Sequence, residues 1–337
     1  YIFEFQTLVC QLTGMEVANA SMYDGSTAMA EAYLMAHRVT RRDKIVVAKS
    51  VHKEYREVAI TYAQHGDTEI VEIDFDEATG RIIDTSALDN KTAALVVQSP
   101  NFFGCVEDLE TLAAAAHAVG ALFVVVVTEA ISFGMLKTPG ACGADIVVGD
   151  GQSWGVPMSF GGPHLGLFAT QEKYVRQMPG RLCGQTVDGQ GRRGYVLTLT
   201  AREQHIRREK ATSNICTNSG LMSLAFTIHM TLLGEHGFQR LARLNHEAAC
   251  DLADLLAAVP GVEVLTKTYF NEFTLKLPRP AAGVVSALAA KGVLGGVPAS
   301  RLYPGADVAN LLIVAATEVN TPACRAAFAA ALTEVLA

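Results

Sequence analysis

Leu122-Phe123-Val124-Val125-Val126-Val127 runs without a single polar residue. A strand with one wet face alternates apolar and polar positions, so this run needs cover on both faces, as in a parallel sheet flanked by helices. The same texture recurs in Lys44-Ile45-Val46-Val47-Ala48, Glu69-Ile70-Val71-Glu72-Ile73, Ala94-Leu95-Val96-Val97-Gln98, Asp145-Ile146-Val147-Val148 and Gly166-Leu167-Phe168-Ala169, with longer helical patterns between them. This order predicts a doubly wound, mainly parallel α/β sheet whose binding crevice lies at the carboxyl ends of the strands.

Beyond about Gly237 the texture changes. An alanine- and leucine-rich helix is expected over Arg240 to Val259, then strand-like Val262-Glu263-Val264-Leu265 and Phe273-Thr274-Leu275-Lys276-Leu277. Helical Ala281 to Lys291, strand-like Asn310 to Ala315 and a closing helix from Thr321 to Leu336 follow. We therefore expect a large α/β domain over 1–236 and a smaller C-terminal α+β domain over 237–337, with helices on one face of a largely antiparallel sheet.

Composition narrows the function. With 50% hydrophobic and 18% charged residues the chain buries a sizeable core. A net charge of −7 with no basic block disfavours nucleic acid or an anionic membrane as partner. The longest apolar run, Ala118 to Val127 with Gly120 inside it, is about half the length of a membrane helix. The seven cysteines form no CxxC pair, which argues against a zinc site or a disulfide framework. They read as reduced, mostly buried thiols of a cytoplasmic protein. The chain opens on Tyr1-Ile2-Phe3-Glu4-Phe5, without an initiator methionine or a signal region, and reads as a fragment beginning inside an amphipathic helix.

Several constellations carry chemistry, each with a plainer alternative. Tyr23-Asp24-Gly25-Ser26-Thr27-Ala28 precedes a helical run from Met29 to His37. Ser26 and Thr27 suit an anion held at a helix N-terminus, or an ordinary capped helix. Glu129 ends the most apolar strand, as an acid facing the crevice or as a cap of the next turn. His52 begins a helix after a strand, where it stacks on a cofactor ring or simply caps. Arg202 to Asn218 gathers Arg202, His205, Arg207, Arg208 and Lys210 with Thr212, Ser213 and Asn214, a set suited to a phosphate or carboxylate, or a solvated charge run. Arg181 to Gly194 reads as a hydrophilic, mobile loop.

Two stretches decide between these readings: Gly149-Asp150-Gly151-Gln152-Ser153-Trp154-Gly155-Val156-Pro157-Met158-Ser159-Phe160-Gly161-Gly162-Pro163-His164-Leu165-Gly166, and Arg202-Glu203-Gln204-His205-Ile206-Arg207-Arg208-Glu209-Lys210-Ala211-Thr212-Ser213-Asn214-Ile215-Cys216-Thr217-Asn218. Together they resemble the glycine cleavage system P-protein family, in particular its first, alpha-type subunit, over essentially the whole chain. The resemblance implies a fold-type I transferase of the pyridoxal-phosphate class, similar to aspartate aminotransferase. It also implies that roughly a quarter of the usual subunit, an N-terminal part, is not in these residues. Lysine-bearing subunits of the family carry His-Lys-Thr in the first stretch, and matching Pro157 and Gly161-Gly162-Pro163 puts Gln152 at the lysine position. A glutamine amide cannot condense with an aldehyde, so no catalytic residue is expected on this chain. Lys173 and Lys210 lie in other elements and are not natural substitutes. The family pattern has Asp-Pro where this chain has Glu129-Ala130, a departure that weakens the ring-binding role of Glu129.

The resemblance further implies a half-enzyme: a non-lysine subunit of an α2β2 glycine dehydrogenase (aminomethyl-transferring). Pyridoxal phosphate would be bound by the lysine-bearing second subunit, glycine decarboxylated, and the aminomethyl group passed to the lipoyl group of an H-protein. Thr212, Ser213, Asn214, Ser26, Thr27, His52 and Glu129 are the expected cofactor-side residues, and His205, Arg207, Arg208 and Lys210 the substrate or interface residues. Arg181 to Gly194, which precedes that segment in the family, becomes part of the partner surface. Two rivals stand beside this reading. One is a structural or regulatory pseudoenzyme that touches no site. The other is a self-sufficient pyridoxal-phosphate enzyme of the aminotransferase or cysteine desulfurase class, against which Gln152 argues.

Overall fold

The computed structural model describes residues 1–337 except 65, 77–78 and 305–307. In chain order its elements are α1 (Ile2–Thr13), β1 (Val17–Ala18), α2 (Gly25–Thr40), β2 (Lys44–Ala48), α3 (Lys53–Ala63), β3 (Glu69–Ile73), β4 (Thr92–Gln98), α4 (Leu109–Ala118), β5 (Leu122–Val127), β6 (Ile146–Asp150), β7 (Gly166–Thr170), β8 (Leu182–Val187), β9 (Arg193–Thr198), α5 (Gln204–Arg207), α6 (Gly220–Ala257), β10 (Glu263–Val264), β11 (Glu272–Lys276), α7 (Ala281–Ala290), β12 (Val297–Pro298), β13 (Leu311–Ala315) and α8 (Pro322–Leu336).

The large sheet has the strand order β1-β7-β6-β5-β4-β2-β3. Its centre, β3-β2-β4-β5-β6, is parallel throughout. Strands β4, β5 and β7 are buried at every residue, as the apolar runs that form β5 and the middles of β4 and β7 require. β7 turns back antiparallel on β6, because the loop 151–165 returns along the edge without a crossover helix. The α/β expectation holds, and so does the mainly parallel pairing.

A second sheet, β10-β11-β13-β12, is antiparallel and has its own core of Phe273, Leu275, Leu312 and Val314 against Leu252, Leu256, Leu288 and Leu332. Helix α6 contributes to both cores. Phe226 in its first half packs edge-on against Phe5 at 5.1 Å between ring centres, and Leu252 in its second half joins the smaller core. Between them Gly234, at φ 61° and ψ −178°, breaks the helix in a conformation that a side chain rarely adopts. The helix expected over Arg240 to Val259 is the second of the two helical stretches, after Gly234; the first, from Gly220, was not expected.

Two further expectations need correction. Arg181 to Gly194 is not a free loop: β8 and β9 pair over Leu182–Val187 and Arg193–Thr198. The hairpin is anchored where Gln6 Nε2 donates to the Cys183 carbonyl and Cys183 N–H donates to Gln6 Oε1, both at 2.9 Å. Asp188, Gly189 and Gly191 form the turn, in which Asp188 accepts from the Arg192 N–H at 3.0 Å. Nor are the cysteines mostly buried. Cys105 is, whereas Cys216 and Cys324 are exposed and the other four lie partly covered. Among the described residues, no helix is long and apolar enough to cross a membrane.

Candidate functional site

The carboxyl ends of β4, β5 and β6 meet the N-terminus of α2 in one crevice. At the end of β4, Gln98 ties three elements together. Its Oε1 accepts the His52 N–H at 2.8 Å, and its Nε2 donates to the Pro100 carbonyl at 3.0 Å and the Thr128 hydroxyl at 3.2 Å. His52 caps α3, its Nδ1 accepting the Glu54 N–H at 3.3 Å, and packs on Phe102 and Tyr55 with ring centres 5.4 and 5.8 Å away. Burial lowers the pKa of its imidazole, against a raising effect of Glu54.

Glu129, at the end of β5, accepts the Ile131 N–H at 3.0 Å and caps the following helical turn. Burial raises its pKa against hydrogen bonds from Ile131, Ser153 and Asn271 that lower it. Of the two roles open to Glu129 in the sequence, these bonds match the cap.

The start of α2 is occupied in the same way. Asp24 Oδ1 accepts the Thr27 N–H at 2.9 Å and the Ser26 hydroxyl at 2.5 Å, and the Thr27 hydroxyl donates to the Asp24 carbonyl at 3.2 Å. Gly25 N–H is bonded to the Asp150 carboxylate. A Cβ at Gly25 would lie 2.9 Å from the carbonyl carbon of Gly149, so α2 and β6 approach too closely for any other residue. Two carboxylates thus sit where a phosphate would need the helix N–H groups. Burial pushes the Asp150 carboxyl upward, offset partly by His164, whose Nδ1 is 3.4 Å from Asp150 Oδ2.

Next to Asp150 stands Gln152. Its N–H donates to Asp150 Oδ1 at 2.8 Å and its amide Nε2 to the Pro157 carbonyl at 3.3 Å. The side chain turns back on its own loop. No amine stands at position 152, and the Gly25 and Thr27 N–H groups at the start of α2 are already bonded to carboxylates.

The segment after β9 runs back along α2. Thr212 N–H donates to the Arg202 carbonyl at 3.0 Å, Ser213 hydrogen-bonds the carboxylate of buried Glu31 on α2, and Cys216 N–H reaches the Tyr23 hydroxyl at 2.9 Å. Burial raises the Glu31 carboxyl, with Ser213 and then Arg38 opposing it. Arg202 clasps the neighbouring chain, donating to the carbonyls of Leu199 at 3.1 Å, Gly180 at 3.0 Å and Met178. His205 Nδ1 lies 3.6 Å from Glu203 Oε2, while Arg208 and Asn214 are exposed.

The expected site residues thus fall into two groups. Ser26, Thr27, His52, Glu129 and Gln152 surround the strand-end crevice. Arg207, Lys210 and Thr212 face a cleft at the other end of α2. The sequence reading missed Gln98, Asp150 and Glu31 as structural partners. Only Asp24 carried a local signal, as a preferred cap residue three positions before Thr27.

Known proteins place this geometry. The family model for the glycine cleavage system P-protein matches residues 1–300. A curated relative in Azorhizobium caulinodans, "probable glycine dehydrogenase (decarboxylating) subunit 1", is 64% identical over 337 residues, covering 100% of this chain and 75% of the relative. The crystal structure of a glycine decarboxylase (P-protein) of the glycine cleavage system, in inhibitor-bound form, superposes with a TM-score of 0.93 at 47% identity, over 99% of this chain and 75% of that one. A Burkholderia pseudomallei sphingosine-1-phosphate lyase shares the fold alone, at 17% identity and a TM-score of 0.72, over 99% of this chain and 76% of that one. With a family model matched over most of its length and relatives of this similarity, the chain belongs to the glycine cleavage system P-protein family.

Proposed function

We propose that this chain is the non-lysine subunit of a cytoplasmic, heterotetrameric glycine dehydrogenase (decarboxylating), paired as α2β2 with a lysine-bearing subunit. The partner would hold pyridoxal phosphate, which supplies the electron sink for loss of CO2 from glycine, and the lipoyl group of an H-protein would accept the aminomethyl group. In this reading the chain contributes fold, interface and a polar wall of His205, Arg207, Arg208, Lys210, Thr212, Ser213 and Asn214. Its two units are taken as 1–236 and 237–337, next to the helix break at Gly234.

One observation carries the reading. A chain that matches the family over residues 1–300 keeps an amide, Gln152, where the chemistry needs an amine, and turns that amide onto the Pro157 carbonyl. The carboxylates of Asp24 and Asp150 at the start of α2 support it, since they disfavour a cofactor phosphate on this chain. The test is co-purification with a lysine-bearing subunit followed by glycine–bicarbonate exchange. Exchange is expected from the pair and from neither chain alone. Exchange by this chain alone would overturn the proposal.

A further inference from the structure

At the C-terminal end of α2, a cleft of about 580 Å³ is lined by Arg38, Arg41, Arg176, Arg202, Arg207 and Lys210. They come from four separate places: the last turn of α2 and its cap, the helical turn after β7, the turn after β9, and the end of α5 with the turn that follows it. No carboxylate contributes to the lining. Arg202 is spent on backbone carbonyls and holds the wall. Among the described residues, Arg41, Arg176, Arg207 and Lys210 have no acidic partner within salt-bridge distance. Arg38 donates Nη2 to the Gln177 carbonyl at 3.0 Å, but its buried Nε has no acceptor.

A helix C-terminus attracts cations, and that accounts for Arg38 and Arg41. It does not account for Arg176, Arg207 and Lys210, which arrive from elsewhere and repel the first two across a concave space. In a chain of net charge −7, such a concentration of unpaired cations is relieved by an anion, and a single charge would leave most of it unneutralised. Guanidinium forks converging from several directions match the tetrahedral oxygens of phosphate. The volume is that of a small-molecule site. Leu199, Ala201 and Ala211 add apolar surface for an organic body.

We propose that this cleft binds a small organic polyphosphate, of nucleoside di- or triphosphate chemistry. It is separate from the strand-end crevice, since α2, with 16 residues, sets the cleft about 20 Å from Asp24. Arg207, Lys210 and Thr212 are shared with the polar wall assigned above, so the two readings compete for them, and the test therefore uses Arg41 and Arg176, which lie outside that segment.

The experiment is calorimetric titration of the purified chain with ADP, pyrophosphate, inorganic phosphate and an oligoglutamate peptide, repeated with Arg41→Ala/Arg176→Ala and with the surface control Lys91→Ala. We expect ADP to bind more tightly than pyrophosphate, and pyrophosphate more tightly than phosphate. The double variant should weaken ADP binding about tenfold or more and the control should leave it unchanged. Affinity should fall as salt rises from about 0.05 to 0.2 M. Equal binding of pyrophosphate and ADP would assign the site to the phosphates alone and overturn the organic part of the proposal. Preference for oligoglutamate would replace it with an acidic protein partner. Absence of ADP binding, or an unaltered affinity in a double variant whose circular dichroism matches the parent, would overturn it altogether.

Discussion

Asp24 accepts the Thr27 N–H at 2.9 Å, so the first turn of α2 carries its own carboxylate on an N–H group that a bound anion would otherwise use. The cap stabilises the helix that packs across β4, β5, β6 and β7. Asp24→Ala removes it and should cost about 1 kcal/mol in denaturant unfolding, whereas Asp24→Asn, which still accepts the bond, should stay within about 0.5 kcal/mol of the parent. Equal losses for both would mean that the charge, not the bond, stabilises the turn.

Borohydride reduction of the chain in the presence of pyridoxal phosphate, followed by peptide mapping, should yield no specific lysine adduct. Gln152 cannot condense with the aldehyde, and Lys173 and Lys210 lie outside the crevice. Stoichiometric labelling of either lysine would contradict this.

Introducing the amine is expected to be insufficient. Gln152→Lys places it beside Asp150 and Asp24, with Glu129 still committed to its cap. A working site needs its groups held within about half an ångström. The isolated variant should therefore show no glycine decarboxylation, measured as CO2 release; measurable turnover would show an intact pocket around position 152.

Thr212→Ala/Ser213→Ala, reconstituted with an unmodified lysine-bearing subunit, should lower cofactor affinity or glycine exchange on the order of tenfold to a hundredfold if the segment borders the partner's site. A purely internal role, with Ser213 serving only Glu31, predicts normal exchange and at most a modest loss of stability.

Acidity should stabilise the smaller sheet's junction with the crevice. Burial, and then repulsion from Glu129, raise Glu272 from 4.5 to about 7. The folded chain therefore holds a proton that the unfolded chain releases near pH 4.5, so this group lowers stability progressively as pH climbs from about 4.5 to 7 and by a constant amount above. Glu272→Gln should flatten that part of the profile and raise the unfolding midpoint at pH 8. A parallel, unflattened profile would assign the dependence to other carboxyls, such as Glu107, which is also raised to about 7 by burial.

Much of the large sheet was legible because β4, β5 and β7 are buried on both faces and confine their polar residues, Thr92, Gln98 and Thr170, to the strand ends. The hairpin β8–β9 was not, since its exposed strands carry polar and glycine residues that pattern like a loop. The first half of α6 was missed because Gly234 interrupts the helical pattern there. At the site, the loss of the amine at Gln152 was visible from residue identity alone. What the Ser26 and Thr27 hydroxyls do was not, since donors to a ligand and donors to a neighbouring carboxylate share the same local sequence. The basic cleft was only half legible: Arg207 and Lys210 share a segment, but Arg38, Arg41 and Arg176 join them only through the fold.

Trp154, the single tryptophan of the chain, lies fully buried in the Gln152 loop, its ring centre 4.9 Å from Phe238 and 5.9 Å from Phe226 on α6. This gives the molecule a built-in optical gauge. Emission from this one indole, excited selectively over the tyrosines, reports on whether the loop that carries Gln152 is seated against α6, without any label.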